Sequence, residues 1–352
     1  MKYTEELNEA WSASIRPRGK NAPTVVSTFA GCGGSGLGYR MAGFRELAAV
    51  EWDADACDTL RLNFDDMVVC EDDITNIDAK KLLRRIGLAK GELTVLDGSP
   101  PCQGFSTSGK RKIGDERNTL FKEFCRLLIG VKPQTFVMEN VVGMVKGRMR
   151  IVFAAIMTEL KRCGYHVRCR IMNAANYGVP QTRQRLIFVG TRKGLRLDFE
   201  FPRPFGKVVT AAEAFTGLPE DTRKGITSNA IMSTWIRCKL GKGFDSVHPD
   251  GHWFSCRKLD PMKPSPTIQR LPGKGGARTT GIFHWEHPRY INFREATRLM
   301  GFPDQFGWAD SSLLSTGKQL GNAVPPFMIR TVASAIHETL DRPRKKIKRR
   351  KV

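Results

Sequence analysis

Residues 24–36 read TVVSTFAGCGGSG, an apolar run that breaks into glycines, and the stretch LGYRMAGF follows at 37–44. The run TVVSTF has the length and β-branched content of a buried strand, and LGYRMAGF has the apolar spacing of an amphipathic helix. Between them Gly31, Gly33 and Gly36 fit the pattern G-x-G-x-x-G. Glycines at such a strand-to-helix junction let the backbone turn tightly and approach a nucleotide closely.

Glu51 ends the next short apolar run, LAAV at 47–50, about twenty residues on, where a carboxylate can accept hydrogen bonds from ribose hydroxyls. Trp52 beside it offers either a flat surface for adenine or an ordinary core residue. Asp73-Ile74 can present a carboxylate and a backbone N–H to the adenine edge. These features point to a nucleotide cofactor but do not separate NAD from S-adenosylmethionine, and a tight turn without a ligand leaves the same glycines.

Further strands are expected at 93–98, 135–140 and 185–190, with helices at 54–63, 79–86 and 119–130. Short apolar strands alternating with helices predict βαβ units, hence an α/β fold with a parallel sheet covered on both faces. Polar or glycine residues follow each strand directly, so chemistry is expected at the sheet's carboxyl edge. From 194 onward Gly, Pro, Lys and Arg become dense and regular elements cannot be read, which suggests a separate, loop-rich substrate domain. Helical periodicity returns at 293–302 and 326–340, and there is no internal repeat.

Three stretches carry the chemistry. In GSPPCQGFSTS at 98–108, Cys102 follows two prolines at a strand end. Proline breaks regular structure, so that thiol is better placed as a nucleophile than for packing. In MENV at 138–141, Glu139 ends an apolar strand, where a carboxyl can serve as a proton donor, or as a capping or ion-paired group. In QTRQR at 181–185, period-2 geometry sends Gln181, Arg183 and Arg185 to one face. Two guanidiniums beside a cleft suit a phosphate or a carbonyl oxygen; a solvated edge strand is the alternative.

The 352-residue chain has 57 Lys and Arg against 35 Asp and Glu, a net charge of +22 that favours a polyanionic partner such as nucleic acid, or an anionic membrane surface. The charge is uneven. Residues 1–100 hold 12 basic and 16 acidic side chains, 101–290 hold 33 and 14, 291–341 hold 4 and 5, and the tail RPRKKIKRRKV at 342–352 holds 8 basic and none acidic. Such a tail is a solvated end, a nucleic-acid arm or a nuclear import signal. Nine cysteines without metal-ligand spacing argue against a disulfide framework or a zinc site. No apolar run approaches 18 residues, and MKYTEELNEAW lacks a signal-peptide apolar region. An intracellular protein away from membranes is expected, monomeric because no dimerisation stripe is evident.

Taken together and in order, these motifs resemble the DNA (cytosine-5) methyltransferase family, of the bacterial restriction-modification type. The matching residues are FAGCGG at 29–34, Glu51-Trp52, Asp73-Ile74, PPCQGFS at 100–106, NTLF at 118–121, ENV at 139–141, QTRQR at 181–185, SPTI at 265–268, REATRLMGFPD at 294–304 and GNAVPP at 321–326. They span about 24–340. Two positions depart from the family pattern: Cys32 within the glycine turn, and Asn118, where glycine is frequent, at the hinge of the following loop.

The resemblance implies a Rossmann-like S-adenosylmethionine-dependent sheet with a smaller target-recognition domain. It divides the chain into an arm at 1–23, a catalytic and cofactor-binding domain at 24–193, a target-recognition domain at 194–290, a return segment at 291–341 and the basic tail. It implies methyl transfer from S-adenosyl-L-methionine, without a metal, to C5 of a flipped-out cytosine in double-stranded DNA through a Cys102–C6 adduct. Glu139 would hold N4 and protonate N3, Arg185 would contact O2, and Arg183 would support the site. Phe29, Gly31, Cys32, Gly34, Glu51, Trp52, Asp73, Ile74, Leu120 and Asn322 fall at cofactor-binding positions. Ser108, Lys110, Arg111, Lys112 and Arg117 belong to a loop that would close on DNA.

A cognate restriction endonuclease acting on the same site is the further partner the resemblance suggests, with a location in the bacterial cytoplasm and nucleoid, or the nucleus of a eukaryotic host. A tRNA cytosine methyltransferase is the rival within the fold. A DNA-binding protein on a retired methylase fold has no need of Cys102, Glu139 and Arg185, and an NAD-dependent oxidoreductase leaves PPCQ and ENV unexplained.

Overall fold

The computed structural model describes residues 2–101, 119–147, 149–221, 225–253, 255–269, 281–309 and 312–342. Its centre is a seven-stranded sheet built from β1 (Thr24–Thr28), β2 (Arg45–Glu51), β3 (Val68–Glu71), β4 (Val95–Gly98), β5 (Thr135–Val141), β6 (Tyr165–Asn173) and β8 (Gln184–Arg192), with the two-residue β7 (Gln181–Thr182) lying outside it. The strand order is β3-β2-β1-β4-β5-β8-β6. Order reverses between β1 and β4, which opens a crevice at their carboxyl ends where sheets of this class take ligands.

The period-2 alternation of the strands sorts the core into two layers. Val25, Ala49, Val95, Val137, Ile187 and Val189 face one way, against α1 (Tyr3–Ser14), α2 (Gly34–Met41), α3 (Ala54–Asn63) and the C-terminal helices. Val26, Ala48, Leu96, Phe136, Met138 and Phe188 face the other, against α4 (Ala79–Arg85), α5 (Thr119–Val131) and α6 (Met149–Arg162). Adjacent residues on one strand thus serve different cores, which is why these strands read as continuous apolar runs.

One expectation needs correcting. The sheet is not wholly parallel, because β8 runs antiparallel to both β5 and β6. A parallel crossover needs a dozen or more residues and usually a helix. The link from β6 to β8 spans 174–183, with one short 3-10 turn and β7, so the chain can only double back.

Residues 3–14, read from sequence only as part of an arm, form α1. Its Tyr3 and Leu7 are buried, the Tyr3 hydroxyl donates to the Arg298 carbonyl at 2.8 Å, and Glu6 pairs with Arg330 at 2.9 Å.

Within 194–290 lie α7 (Ala211–Phe215), α8 (Asn229–Arg237) and three two-residue strands, β9 (Arg257–Lys258), β10 (Ser265–Pro266) and β11 (Ile282–Phe283). Cys238, Phe244 and Phe283 form a small core of their own, whereas Ala211, Ala214, Leu259 and Ile268 join the main core. This region is therefore anchored at its base and independent at its tip. The return segment supplies α9 (Phe293–Leu299), α10 (Leu313–Asn322) and α11 (Pro326–Asp341). Helix α11 packs directly on α2: a Cβ at Gly38 would lie 2.5 Å from the Pro326 carbonyl oxygen.

Candidate active site

The glycine turn leaves β1 through Phe29, whose φ of 53° is rare for a residue with a side chain, and through Gly31 and Gly33 at φ 55° and 91°. Each glycine answers a different neighbour. A Cβ at Gly34 would lie 2.4 Å from the Val324 carbonyl oxygen, and one at Gly36 would lie 2.2 Å from the Glu46 carboxylate. Gly34 thus admits the return segment, and Gly36 admits strand β2.

Glu51 is buried at the end of β2. Its Oε2 accepts the Gly31 N–H at 2.7 Å, and its Oε1 accepts the N–H groups of Trp52 and Asp53 at 2.9 and 3.0 Å. A carboxylate offers about four acceptor positions, so the three bonds hold the turn while leaving Oε2 room for one more donor. Trp52 is 75% exposed, which removes the core reading and leaves its ring open beside the crevice.

Asp73 accepts the Thr75 N–H and hydroxyl on Oδ1 at 2.8 and 2.7 Å, and these bonds hold its carboxyl below the usual aspartate range. Arg126 of α5 pins this turn from below, donating to the Ile74 and Ile77 carbonyls. Nothing in the sequence marks that role of Arg126.

Cys32 lies in the core, its thiol directed at the Gln319 carbonyl 3.9 Å away and pushed up to about 12 by burial. Only its backbone can serve the turn. Phe29 and Leu120 are half-buried against the same apolar cluster. Asn322, exposed, ends α10, which is fastened to α3 by Lys318–Asp53 and Ser315–Asp55 contacts and so walls the crevice.

At the neighbouring strand ends, Gly98 of β4 lies opposite Met138 of β5, so Glu139 stands level with the step out of β4. The Asn140 amide donates to the Pro100 carbonyl at 3.2 Å and ties the prolines to β5. Cys102 and the loop residues Ser108, Lys110, Arg111, Lys112 and Arg117 lie outside the described residues, as does most of the basic tail. Pro101, the residue before Cys102, is described and half-buried.

Val141 opposes Arg185 across the antiparallel β5–β8 pair, which makes Glu139 and Arg185 diagonal neighbours on one face. Arg185 Nε lies 2.6 Å from Glu139 Oε1. The expected alternation in QTRQR holds, but its chemistry differs from residue to residue. Gln181 is buried and binds the Leu299 carbonyl and the Ile268 N–H.

Arg183 is only 2% exposed and donates to the carbonyls of Ile268 and Gly321 at 2.9 and 2.8 Å. Burial, with the Arg185 charge, takes its pKa well below the ordinary guanidinium value. The reading of two guanidiniums facing a cleft is therefore corrected. The carbonyls that Arg183 meets are the protein's own, and of the two guanidiniums only that of Arg185 pairs with Glu139.

Sequence reasoning also missed Asp97 of β4, buried between Ser35 and Tyr39 of α2. An acidic residue inside the apolar run LTVLDG was the available signal. Among the described residues no cluster of His, Cys, Asp or Glu could hold a metal ion, and no helix is long and apolar enough to cross a membrane.

The chain is 35% identical over 330 residues to the type II methyltransferase M1.HphI of Haemophilus parahaemolyticus, covering 89% of this chain and 86% of that one. It is 30% identical over 367 residues to M.XorII of Xanthomonas oryzae pv. oryzae, with 90% and 85% covered. A solved chain assigned as a DNA modification methyltransferase encoded within an Escherichia coli prophage superposes with a TM-score of 0.74 at 25% identity, over 91% of this chain and all of that one. The Schizosaccharomyces pombe Dnmt2 methyltransferase shares the fold, with a TM-score of 0.67 at 19% identity over 91% of this chain and all of that one. Residues 24–338 match the model of the C-5 cytosine-specific DNA methylases, so the chain belongs to that family and is a DNA (cytosine-5) methyltransferase.

Proposed function

We propose that the protein methylates C5 of a cytosine turned out of double-stranded DNA, using S-adenosyl-L-methionine and a transient bond between Cys102 and C6. The observation that supports this best is the pairing at the strand ends. Glu139 carries Arg185, and the next residue, Asn140, holds the two prolines that lead into Cys102.

The residues around the β1–β4 crevice fit S-adenosylmethionine. Glu51 and the open face of Trp52 suit the ribose and adenine, and the ionised Asp73 with the Ile74 N–H suits the adenine edge. The backbone of Gly31, Cys32 and Gly34, with Phe29, Leu120 and Asn322, completes the walls. When bound, S-adenosylmethionine supplies an electrophilic methyl group on its sulfonium.

Everything else falls to the protein. Stacked duplex hides C6, so the base must leave the helix; Ser108, Lys110, Arg111, Lys112 and Arg117 would hold the opened backbone. Cys102 as thiolate adds to C6. Glu139 holds N4 and gives a proton to N3, which draws electrons from C6 and leaves C5 enamine-like. Arg185 holds O2 while steadying Glu139, and Arg183 fixes the strand that carries Arg185. With the methyl on C5, loss of the C5 proton would expel the Cys102 sulfur, N3 would return its proton to Glu139, and the ring would be restored.

Sequence choice would rest with 194–290, whose 15 basic against 9 acidic side chains suit a DNA groove. A type II setting would add a cognate restriction endonuclease reading the same site, in an intracellular location.

The test is transfer of labelled methyl from S-adenosylmethionine to duplex DNA and to tRNA, by the wild type and Cys102→Ser. DNA labelling that the variant loses while still binding DNA is the expected result. Labelling of tRNA alone ends the DNA reading, and normal activity of the variant ends the covalent one. Bisulfite sequencing of DNA from expressing cells would then give the recognition sequence.

A further inference from the structure

The face of the sheet beneath α2 carries a row of acidic side chains. Glu46 on β2 receives the Ser27 hydroxyl at 2.8 Å and the Arg40 Nε at 3.0 Å, and Arg40 is shared with Asp66. Glu139 on β5 has Arg185. Between them on β4 stands Asp97, 3% exposed. Its Oδ2 accepts the Ser35 hydroxyl at 2.6 Å and its Oδ1 the Tyr39 hydroxyl at 3.2 Å. Among the described residues Asp97 has no cationic partner. Both of its donors are neutral, and the guanidiniums on either side are already engaged by other carboxylates.

Asp97 also joins the two halves of the site. Ser35 is in the first turn of α2, directly after the glycine turn. Asp97 is one residue before the end of β4, which leads through Ser99, Pro100 and Pro101 towards Cys102. The Thr28 hydroxyl donates to the Asp97 carbonyl at 2.9 Å, so β1, β4 and α2 meet at this residue.

We propose that Asp97 is a proton-linked positioning residue: tied to α2 through Ser35 and Tyr39, it gives the crevice, when ionised, a negative charge that favours a cationic methyl donor over its neutral product. This rests on the reading that the crevice binds S-adenosylmethionine. The charged groups facing Asp97 are Glu46 from β2 and Glu139 from β5, which oppose its ionisation, while Ser35 and Tyr39 support it. Burial outweighs all of these and raises the carboxyl to about 7. A cation bound above it lowers that value, so binding expels a proton near neutral pH and the cation binds better as pH rises.

S-adenosylhomocysteine is the control, because it shares every group with the methyl donor except the sulfonium charge. Affinities of both ligands are measured by calorimetry between pH 6 and 8.5 on the wild type, Asp97→Asn and Tyr39→Phe. In the wild type the preference for the sulfonium ligand should grow about three- to fivefold across that range, the part of a coupling of half to one pKa unit that develops there. Asp97→Asn should flatten the ratio while still binding S-adenosylhomocysteine. Tyr39→Phe removes one supporting bond and should move the midpoint to higher pH, a shift that a merely structural role would not produce.

A wild-type ratio independent of pH, or one unchanged in Asp97→Asn, overturns the inference. If the wild type binds neither ligand at any pH, the assignment of the crevice itself has failed, and this inference with it.

Discussion

Arg185 Nε and Glu139 Oε1 stand 2.6 Å apart on adjacent antiparallel strands, and the same guanidinium donates through Nη1 to the Gln184 carbonyl. One side chain thus fixes the orientation of the carboxyl proposed to protonate the base. Glu139→Gln should lower kcat by about 10²- to 10⁴-fold. Arg185→Lys keeps the charge but cannot make both contacts, and should lose about 10- to 100-fold. The double variant should lose less than the product of the two, since each acts through the other. A steady-state double-mutant cycle checks this, and full additivity would show that the two side chains work independently.

Arg183 offers a test of stability rather than chemistry. Its two bonds join Ile268, at the base of the 194–290 region, to Gly321 near the end of α10. Arg183→Lys cannot bridge both carbonyls and leaves a buried acceptor unmet, at a cost of about 2–4 kcal/mol. Denaturant titration should show a lower midpoint at unchanged slope.

Asp97 should give the fold an unusual pH dependence. Its native value of about 7 lies above the ~3.9 of an unfolded aspartate. Between those values the native state holds a proton that the unfolded chain has released. The contribution of this group to stability is therefore full below about pH 4 and falls as pH rises through about 7, by about 3–4 kcal/mol at most. Asp97→Asn removes the slope, so thermal melts should show it gaining on the wild type from pH 5 to pH 8. An equal change in both proteins would contradict the buried, unpaired carboxyl.

The basic run at 342–352 lies beyond the last matching motif. Its deletion should weaken DNA binding modestly, reduce the salt dependence of binding, and leave the recognition sequence unaltered. Bisulfite sequencing alongside salt-dependent affinities would detect either departure.

Apart from the four-residue β3, which was not expected, the strands of the parallel half were legible because each holds a continuous apolar run ending in a polar or glycine residue. Strand β6 was not: its sequence YHVRCRIMN alternates exposed His166, Arg168 and Arg170 with half-buried neighbours, as an edge strand does. The reversal of β8 was hidden because direction depends on the connection, not on composition. In the site, residue types pointed to the glycine turn, Glu51, Glu139 and Arg185. What spacing could not supply was the partner of each side chain. Arg183 and Arg185 look equivalent in QTRQR, and only the carbonyls of Ile268 and Gly321, 85 and 138 residues away in sequence, separate their roles.

The wall formed by α10, and the packing of α11 on α2, have a consequence in time. The crevice begins with β1, yet residues 313–341, far later in the chain, must emerge before that crevice is closed and α2 is backed. A nascent chain can assemble the sheet and even the recognition region while still lacking its last wall. The order of synthesis thus delays completion of the crevice until the return segment has packed, and a chain stopped before residue 313 would lack that wall.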